Sequence, residues 1–228
     1  MSPFAHSHSA PPPNPPRRAP AHFLALGDSY TIGEGVAREQ SWPERLSAAL
    51  VARAHTVAAP RIVATTGWTI EELLTGMESS GVWPSTSTQA LVTLAIGVND
   101  QFRGQPLGDT MVSYARVFDR AVALTGGHAA RVVCVSIPDW GITPFAAGRD
   151  RARIASELDA LNAAEAAHAR AHGAHVVDVT TLTRRHGEDP AFLAADGLHP
   201  GPAAYAEWAE AIRPAAERAL RGTRPRQD

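Results

Sequence analysis

Lysine is absent from this chain of 228 residues, and all 21 residues counted as lysine or arginine are arginine. This absence excludes a phosphate-binding loop that depends on lysine, and it excludes a lysine Schiff base. Cysteine occurs once, as Cys134, which excludes an internal disulfide. Because Cys134 stands in the apolar run 131–137, we interpret it as a buried strand residue rather than a reactive thiol.

Long apolar runs are also missing. No stretch approaches the roughly 18 residues of a membrane span, and the Pro-, Ser- and His-rich residues 1–20 lack the apolar core of a signal peptide. We therefore expect a disordered tail over 1–20, one domain over 21–221, a flexible end over 222–228 and a cytoplasmic location. The net charge of −2 gives no indication of nucleic-acid binding.

Short apolar runs alternate with longer amphipathic stretches, which predicts an α/β fold. A parallel sheet covered by helices on both faces, a three-layer α/β/α sandwich, follows from right-handed crossovers. The predicted strands are His22–Leu26, Arg61–Ala64, Ala90–Ile96, Ala130–Ile137 and Ala174–Val177. The predicted helices are Trp42–Ala54, Thr69–Ser79, Leu107–Thr125, Gly148–His172 and Pro202–Arg221.

Four short blocks contain groups that acyl transfer by serine requires. Residues 27–30 read Gly-Asp-Ser-Tyr after the first strand, Gly67 follows the second, residues 97–100 read Gly-Val-Asn-Asp after the third, and residues 196–199 read Asp-Gly-Leu-His. In an open α/β sheet, ligands bind beyond the carboxyl ends of the strands. We therefore expect these blocks to meet at one rim of the sheet.

Each block has a predicted role. Ser29 is the candidate nucleophile, His199 the general base and acid, and Asp196 the carboxylate that orients the imidazole. The backbone N–H groups of Ser29 and Gly67, with the side chain of Asn99, are the candidate oxyanion hole. The alternatives are a capping serine, an ordinary turn glycine and a turn asparagine at the end of a strand.

Together, these blocks resemble those of the GDSL-type esterases and lipases, the SGNH-hydrolase superfamily. The similarity covers about residues 22–220, with Tyr30 where that family most often has leucine. It implies a flavodoxin-like five-stranded parallel sheet. The chain lacks the Gly-x-Ser-x-Gly motif of α/β-hydrolases, which disfavours that other fold.

We therefore expect a serine esterase that needs no cofactor or metal and forms an acyl-enzyme on Ser29. Short segments after the strands favour short acyl or acetyl esters of small molecules; lysophospholipase or thioesterase activity stays open, as does the oligomeric state. Trp68, Phe102 and Trp140 are candidate substrate-binding residues, with core packing as the alternative. A flavin- or nucleotide-binding module is the rival from another class, although it leaves Asn99 and the 196–199 block without a role.

Several charged residues have structural interpretations. Asp28 and Asp100 are predicted to anchor loops through hydrogen bonds rather than to react. Glu165, His168 and His172 share helical spacing that can suit zinc, but we interpret them as a solvated helix face. Arg103 could contact a charged substrate, and a solvated arginine is the simpler interpretation.

Overall fold

A central parallel sheet organises the protein, which is described by a computed structural model over residues 19–85 and 87–221. The predicted tails lie outside these ranges, apart from residues 19 and 20. The strands are β1 (Phe23–Gly27), β2 (Arg61–Ala64), β3 (Leu91–Ala95), β4 (Val132–Val135) and β5 (His175–Val177). Their order in the sheet is β2-β1-β3-β4-β5 and every pairing is parallel, so the predicted flavodoxin-like sheet is confirmed.

Helices connect the strands, and the described residues form eight α-helices. They are α1 (Ser29–Ile32), α2 (Trp42–Ala52), α3 (Ile70–Ser79), α4 (Val98–Phe102), α5 (Leu107–Leu124), α6 (Arg151–Ala171), α7 (Thr180–His186) and α8 (Pro202–Arg221). All five predicted helices are present, with ends shifted by up to three residues. Three short helices, α1, α4 and α7, were not predicted. Within the described ranges, no helix is both long and apolar enough to cross a membrane.

The two faces of the sheet carry separate apolar cores. Phe23 and Ala25 of β1 point to one face, where α2 and α8 pack, while Leu24 and Leu26 point to the other, where α3 and α5 pack. This alternation produces the predicted three layers. Cys134 is buried in β4, and burial raises its pKa to about 12, which confirms the interpretation as a core thiol.

The expected solvated face on α6 is wrong for Glu165 and His168, whereas His172 is exposed. Glu165 is only 5 % exposed, and a Cβ at position 97 would come within 2.9 Å of its Oε1. The His168 ring packs edge-on against Phe118 of α5, with ring centroids 5.0 Å apart. The alanine-rich sequence of α6 obscured its buried face, because alanine and glutamate supply little apolar periodicity.

Candidate active site

Ser29 begins α1 at the point where β1 ends. Asp28 caps this helix, because its Oδ1 accepts the backbone N–H of Tyr30 at 3.0 Å. As the first helical residue, Ser29 has a backbone N–H without an intrahelical acceptor. The strand can turn this tightly only with glycine at position 27, where a Cβ would lie 2.5 Å from the carbonyl oxygen of Ala95.

A loop just before α8 presents His199. The Asp196 carboxylate organises this loop, since its Oδ1 accepts the backbone N–H groups of Leu198 at 2.9 Å and His199 at 3.0 Å. Its Oδ2 lies 2.6 Å from His199 Nδ1. Burial alone would raise the pKa of Asp196, but these hydrogen bonds outweigh burial and lower it. The carboxylate is therefore ionised at neutral pH, where it can stabilise an imidazolium.

Ser29 and His199 are 170 residues apart in the sequence and meet across the cleft. Ser29 Oγ lies 3.0 Å from His199 Nε2, and both side chains are buried. The Tyr30 ring supports the imidazole, with the ring centroids 5.3 Å apart. Ser29, His199 and Asp196 thus form a continuous hydrogen-bonded chain. Such a chain can accept the hydroxyl proton as the oxygen attacks a carbonyl carbon.

Two further residues with hydrogen-bond donors, Asn99 and Gly67, line the same cleft as Ser29 and His199. Asn99 is in α4, and its Nδ2 donates one hydrogen to the carbonyl oxygen of Trp68 at 2.9 Å, which fixes the orientation of the amide. An amide nitrogen carries a second hydrogen, which can serve a ligand. Gly67 has φ +82°, and a Cβ there would meet nothing nearer than Arg103 Nη2 at 4.0 Å. A ligand can therefore approach this stretch of backbone closely.

Buried carboxyl groups hold the catalytic segments together. Asp100 Oδ2 accepts the backbone N–H of Ile70 at 3.1 Å, which ties α4 to the start of α3, while Asp28 caps α1. The prediction that both anchor loops is confirmed. Burial raises the pKa of Asp28 to about 7, with the Asp100 charge adding to the effect, and burial raises the pKa of Asp100 to about 6. Groups other than histidine therefore titrate near neutral pH beneath this site.

An open cleft with a cavity volume of about 170 Å³ lies above Ser29 and His199. Aromatic side chains line one wall: the Trp140 ring centroid lies 5.3 Å from that of Phe102 and 6.1 Å from that of Phe145. Trp140 is 4 % exposed, and its Nε1 donates to Gln101 Oε1 at 2.9 Å. Phe102 and Phe145 are 44 % and 41 % exposed at the mouth. We call Phe102, Trp140 and Phe145 the aromatic wall.

Trp68 does not line this cleft, which corrects the sequence-based assignment. Its ring packs against Gly76 of α3, where a Cβ would clash with it. Trp68 serves the site only through its backbone carbonyl, which holds Asn99. Arg103 is not simply solvated either, because it donates to the carbonyl oxygen of Gly67 at 2.7 Å and pairs with Glu72 at 3.3 Å.

Sequence reasoning missed several residues that line the cleft. Tyr30, Val98 and Leu198 are direct neighbours of predicted functional residues, and this adjacency could have identified them. Thr66 lies at the far end beside Gly67, where its hydroxyl hydrogen-bonds the Glu34 carboxylate. Phe145 completes the aromatic wall.

The fold and the site define the class of protein: a three-layer α/β/α sandwich with serine, histidine and aspartate side chains together at the carboxyl end of a parallel sheet. The profile of the GDSL-like Lipase/Acylhydrolase family matches residues 25–207. The chain therefore belongs to that family and is an enzyme that hydrolyses ester bonds. None of the curated proteins matches it.

Solved structures share the fold at low sequence identity. TesA is 22 % identical to this chain with a TM-score of 0.66, and the alignment covers 87 % of this chain and 99 % of TesA. The psychrotrophic esterase EstA from Pseudoalteromonas sp., in a structure inhibited by monoethylphosphonate, is 16 % identical with a TM-score of 0.63. The alignment covers 88 % of this chain and 97 % of EstA. The extracellular lipase from Streptomyces rimosus is 22 % identical with a TM-score of 0.60, covering 87 % and 99 %.

Proposed function

We propose that the enzyme cleaves short-chain acyl or acetyl esters of small molecules through an acyl-enzyme on Ser29. One observation carries this proposal: Ser29 Oγ lies 3.0 Å from His199 Nε2, whose ring continues at 2.6 Å to the Asp196 carboxylate. A serine hydroxyl is a weak nucleophile, and a base at this distance is what activates it. The inhibition of EstA by a phosphonate is compatible with a serine nucleophile in a protein of this fold.

In the first half-reaction, Ser29 Oγ attacks the ester carbonyl carbon while His199 Nε2 takes its proton. The carbonyl oxygen becomes negative and accepts hydrogen bonds from the N–H groups of Ser29, Gly67 and Asn99. The tetrahedral intermediate then collapses, and the leaving alcohol takes the proton from Nε2. In the second half-reaction, water gives a proton to Nε2 as its oxygen attacks the acyl carbon. The second tetrahedral intermediate then collapses, the acid leaves, and Nε2 returns the proton to Ser29 Oγ.

The shape of the cleft supports a small acyl group. Its cavity volume of about 170 Å³ is below the range of about 300–1,000 Å³ for small-molecule sites, and it is open along one side. Within the described residues, Gly67 and Asn99 stand only a few residues beyond β2 and β3, which leaves little chain for a lid there. A phosphate at the start of α1 is disfavoured, because the Asp28 side chain already accepts a backbone N–H at the start of that helix.

A series of p-nitrophenyl esters with graded acyl length tests the substrate class, alongside acetylated sugars. We expect kcat/KM to be highest for acyl groups of about two to four carbons and to fall at least about tenfold for about ten carbons, because a short open cleft adds no contacts beyond the first few methylenes. A steady rise in kcat/KM with acyl length would contradict the proposal and would favour lipid or thioester substrates.

Asn99→Ala tests the proposed side-chain oxyanion donor. We expect kcat to fall by about 10²–10³ with KM little changed, because the lost hydrogen bond acts mainly on the charge that develops in the transition state. Steady-state kinetics on p-nitrophenyl acetate measure both constants. Asn99 also holds the carbonyl oxygen of Trp68, so thermal unfolding must be compared in parallel. A raised KM with an unchanged kcat would instead make Asn99 a ground-state binding residue.

A further inference from the structure

Arg149 covers the aromatic wall at the mouth of the cleft. Its guanidinium carbon lies 5.1 Å from the ring centroid of Phe102, 5.4 Å from that of Trp140 and 5.5 Å from that of Phe145. All three rings line the same cleft as Ser29 and His199. Contact with three rings at once holds the long arginine side chain beside the cleft, because a cation is attracted to the face of an aromatic ring.

The charge of Arg149 is not neutralised within the described ranges, where no carboxylate pairs with it. The neighbouring cations differ: Arg103 pairs with Glu72 and Arg151 pairs with Glu188 at 2.6 Å. Within the described residues the Arg149 side chain donates no hydrogen bond, so its N–H groups stay available to a ligand. These donors match a carboxylate or a phosphate in a two-pronged geometry.

The two ends of the cleft differ in charge. At one end, Thr66 hydrogen-bonds the half-buried Glu34 carboxylate, which places a negative group near Gly67. At the other end, Arg149 supplies a positive charge above exposed aromatic surface. The Arg103 guanidinium also lies at Gly67 but is paired with Glu72, so a substrate that carries an anion is attracted to the aromatic end, where the positive charge is unpaired within the described residues. Attraction is stronger beside apolar side chains than in open water, because they exclude part of the screening solvent.

We propose that Arg149 and the aromatic wall bind a carboxylate or phosphate group of a monomeric ester substrate whose reacting carbonyl lies at Ser29. An aromatic ring or short chain between the ester and the anion stacks on the wall, and the anion meets the edge of the guanidinium. The enzyme thereby selects esters of anionic molecules over neutral ones. This inference deepens the proposed function and rests on it.

The test uses two acetyl esters that differ in charge, 4-acetoxybenzoate and its neutral methyl ester, with acetate release as the measure of acetyl-ester cleavage in both. We expect wild-type enzyme to have the higher kcat/KM for the anionic ester. Arg149→Gln should lower the anionic-to-neutral ratio at least about tenfold with little change for the neutral ester, and Arg149→Lys should retain part of the ratio because it keeps the charge. Added NaCl should lower the wild-type ratio and leave the Arg149→Gln ratio almost unchanged.

Arg170→Gln is the matched control, since it removes the same net charge. Arg170 is exposed near the end of α6, a helix of 21 residues that begins at Arg151, near Arg149, and extends about 30 Å away. This variant should keep the wild-type ratio. A wild-type ratio near one, an equal loss for both esters in Arg149→Gln, or the same ratio change in Arg170→Gln would overturn the inference.

Hydrolysis of p-nitrophenyl acetate separates this inference from the proposed function. If the enzyme cleaves p-nitrophenyl acetate through Ser29 but its rates do not depend on the charge at position 149, the proposed function stands and only this inference fails. The same holds if the enzyme cleaves p-nitrophenyl acetate but neither acetoxybenzoate ester. If the enzyme is inactive on all of these acetyl esters, both the proposed function and this inference fail.

Discussion

Replacing Ser29 with alanine is expected to lower kcat for ester hydrolysis by about 10⁴-fold or more. The oxygen that attacks the carbonyl is then missing, while the oxyanion donors and the cleft remain and leave only a small residual rate. The Ser29 side chain is small, and within the described residues its hydrogen bond is to His199 alone. The melting temperature should therefore change little. Initial rates on p-nitrophenyl acetate, with thermal unfolding in parallel, measure both effects.

Ser79→Ala provides the matched control for this substitution. Ser79 ends α3, where its hydroxyl bonds only the carbonyl oxygen of Gly76 in the same helix. This variant should keep the wild-type rate. A Ser29→Ala enzyme with more than a tenth of the wild-type kcat would show that another residue is the nucleophile.

His199→Ala has the second large expected effect, a fall in kcat of about 10⁴-fold or more. Without the imidazole, no other side chain in the described ranges hydrogen-bonds Ser29 Oγ to take its proton or to return one to the leaving alcohol. In the wild type, kcat/KM should rise with pH as an imidazole loses its proton, since only the neutral ring accepts from serine. A His199→Ala enzyme with the wild-type rate and pH profile would contradict this role.

The pH profile needs a control because a second group titrates beneath the nucleophile. Burial and the charge of Asp100 raise the pKa of Asp28 to about 7. Asp28→Asn removes this ionisation while keeping an oxygen that can cap α1. If the rise in kcat/KM belongs to His199, it persists in Asp28→Asn. Its disappearance there would assign the rise to the buried carboxyl group.

The order of strands and long helices was predictable because each has a strong apolar pattern. The five strands are short apolar runs, and helices such as α8 have a clear buried face with Tyr205, Trp208 and Ile212 at helical spacing. Helices α1 and α4 are four and five residues long, too short to show a period. They form because the chain must turn at the sheet rim, under the caps and anchors that Asp28 and Asp100 provide.

Site residues that belong to a short sequence motif were predictable, whereas those whose position depends on tertiary packing were not. The four blocks placed Ser29, Asn99 and His199 in one cleft, because parallel strands end at one rim. The orientation of Trp68 depends on the space left by Gly76 of α3, which no local motif records. The position of Arg149 likewise depends on rings from the connection between β4 and α6 and on a ring from α4, so no sequence motif identifies it.

Covalent labelling by a serine-directed phosphonate tests the central claim most directly, because it identifies the reacting atom without assuming a substrate. After incubation with a p-nitrophenyl alkylphosphonate and digestion, mass spectrometry should find one phosphonyl group per chain, on the peptide that contains Ser29. The label should appear together with loss of esterase activity, and Ser29→Ala should remain unlabelled. A label on another residue, or full activity after complete labelling of Ser29, would contradict the account.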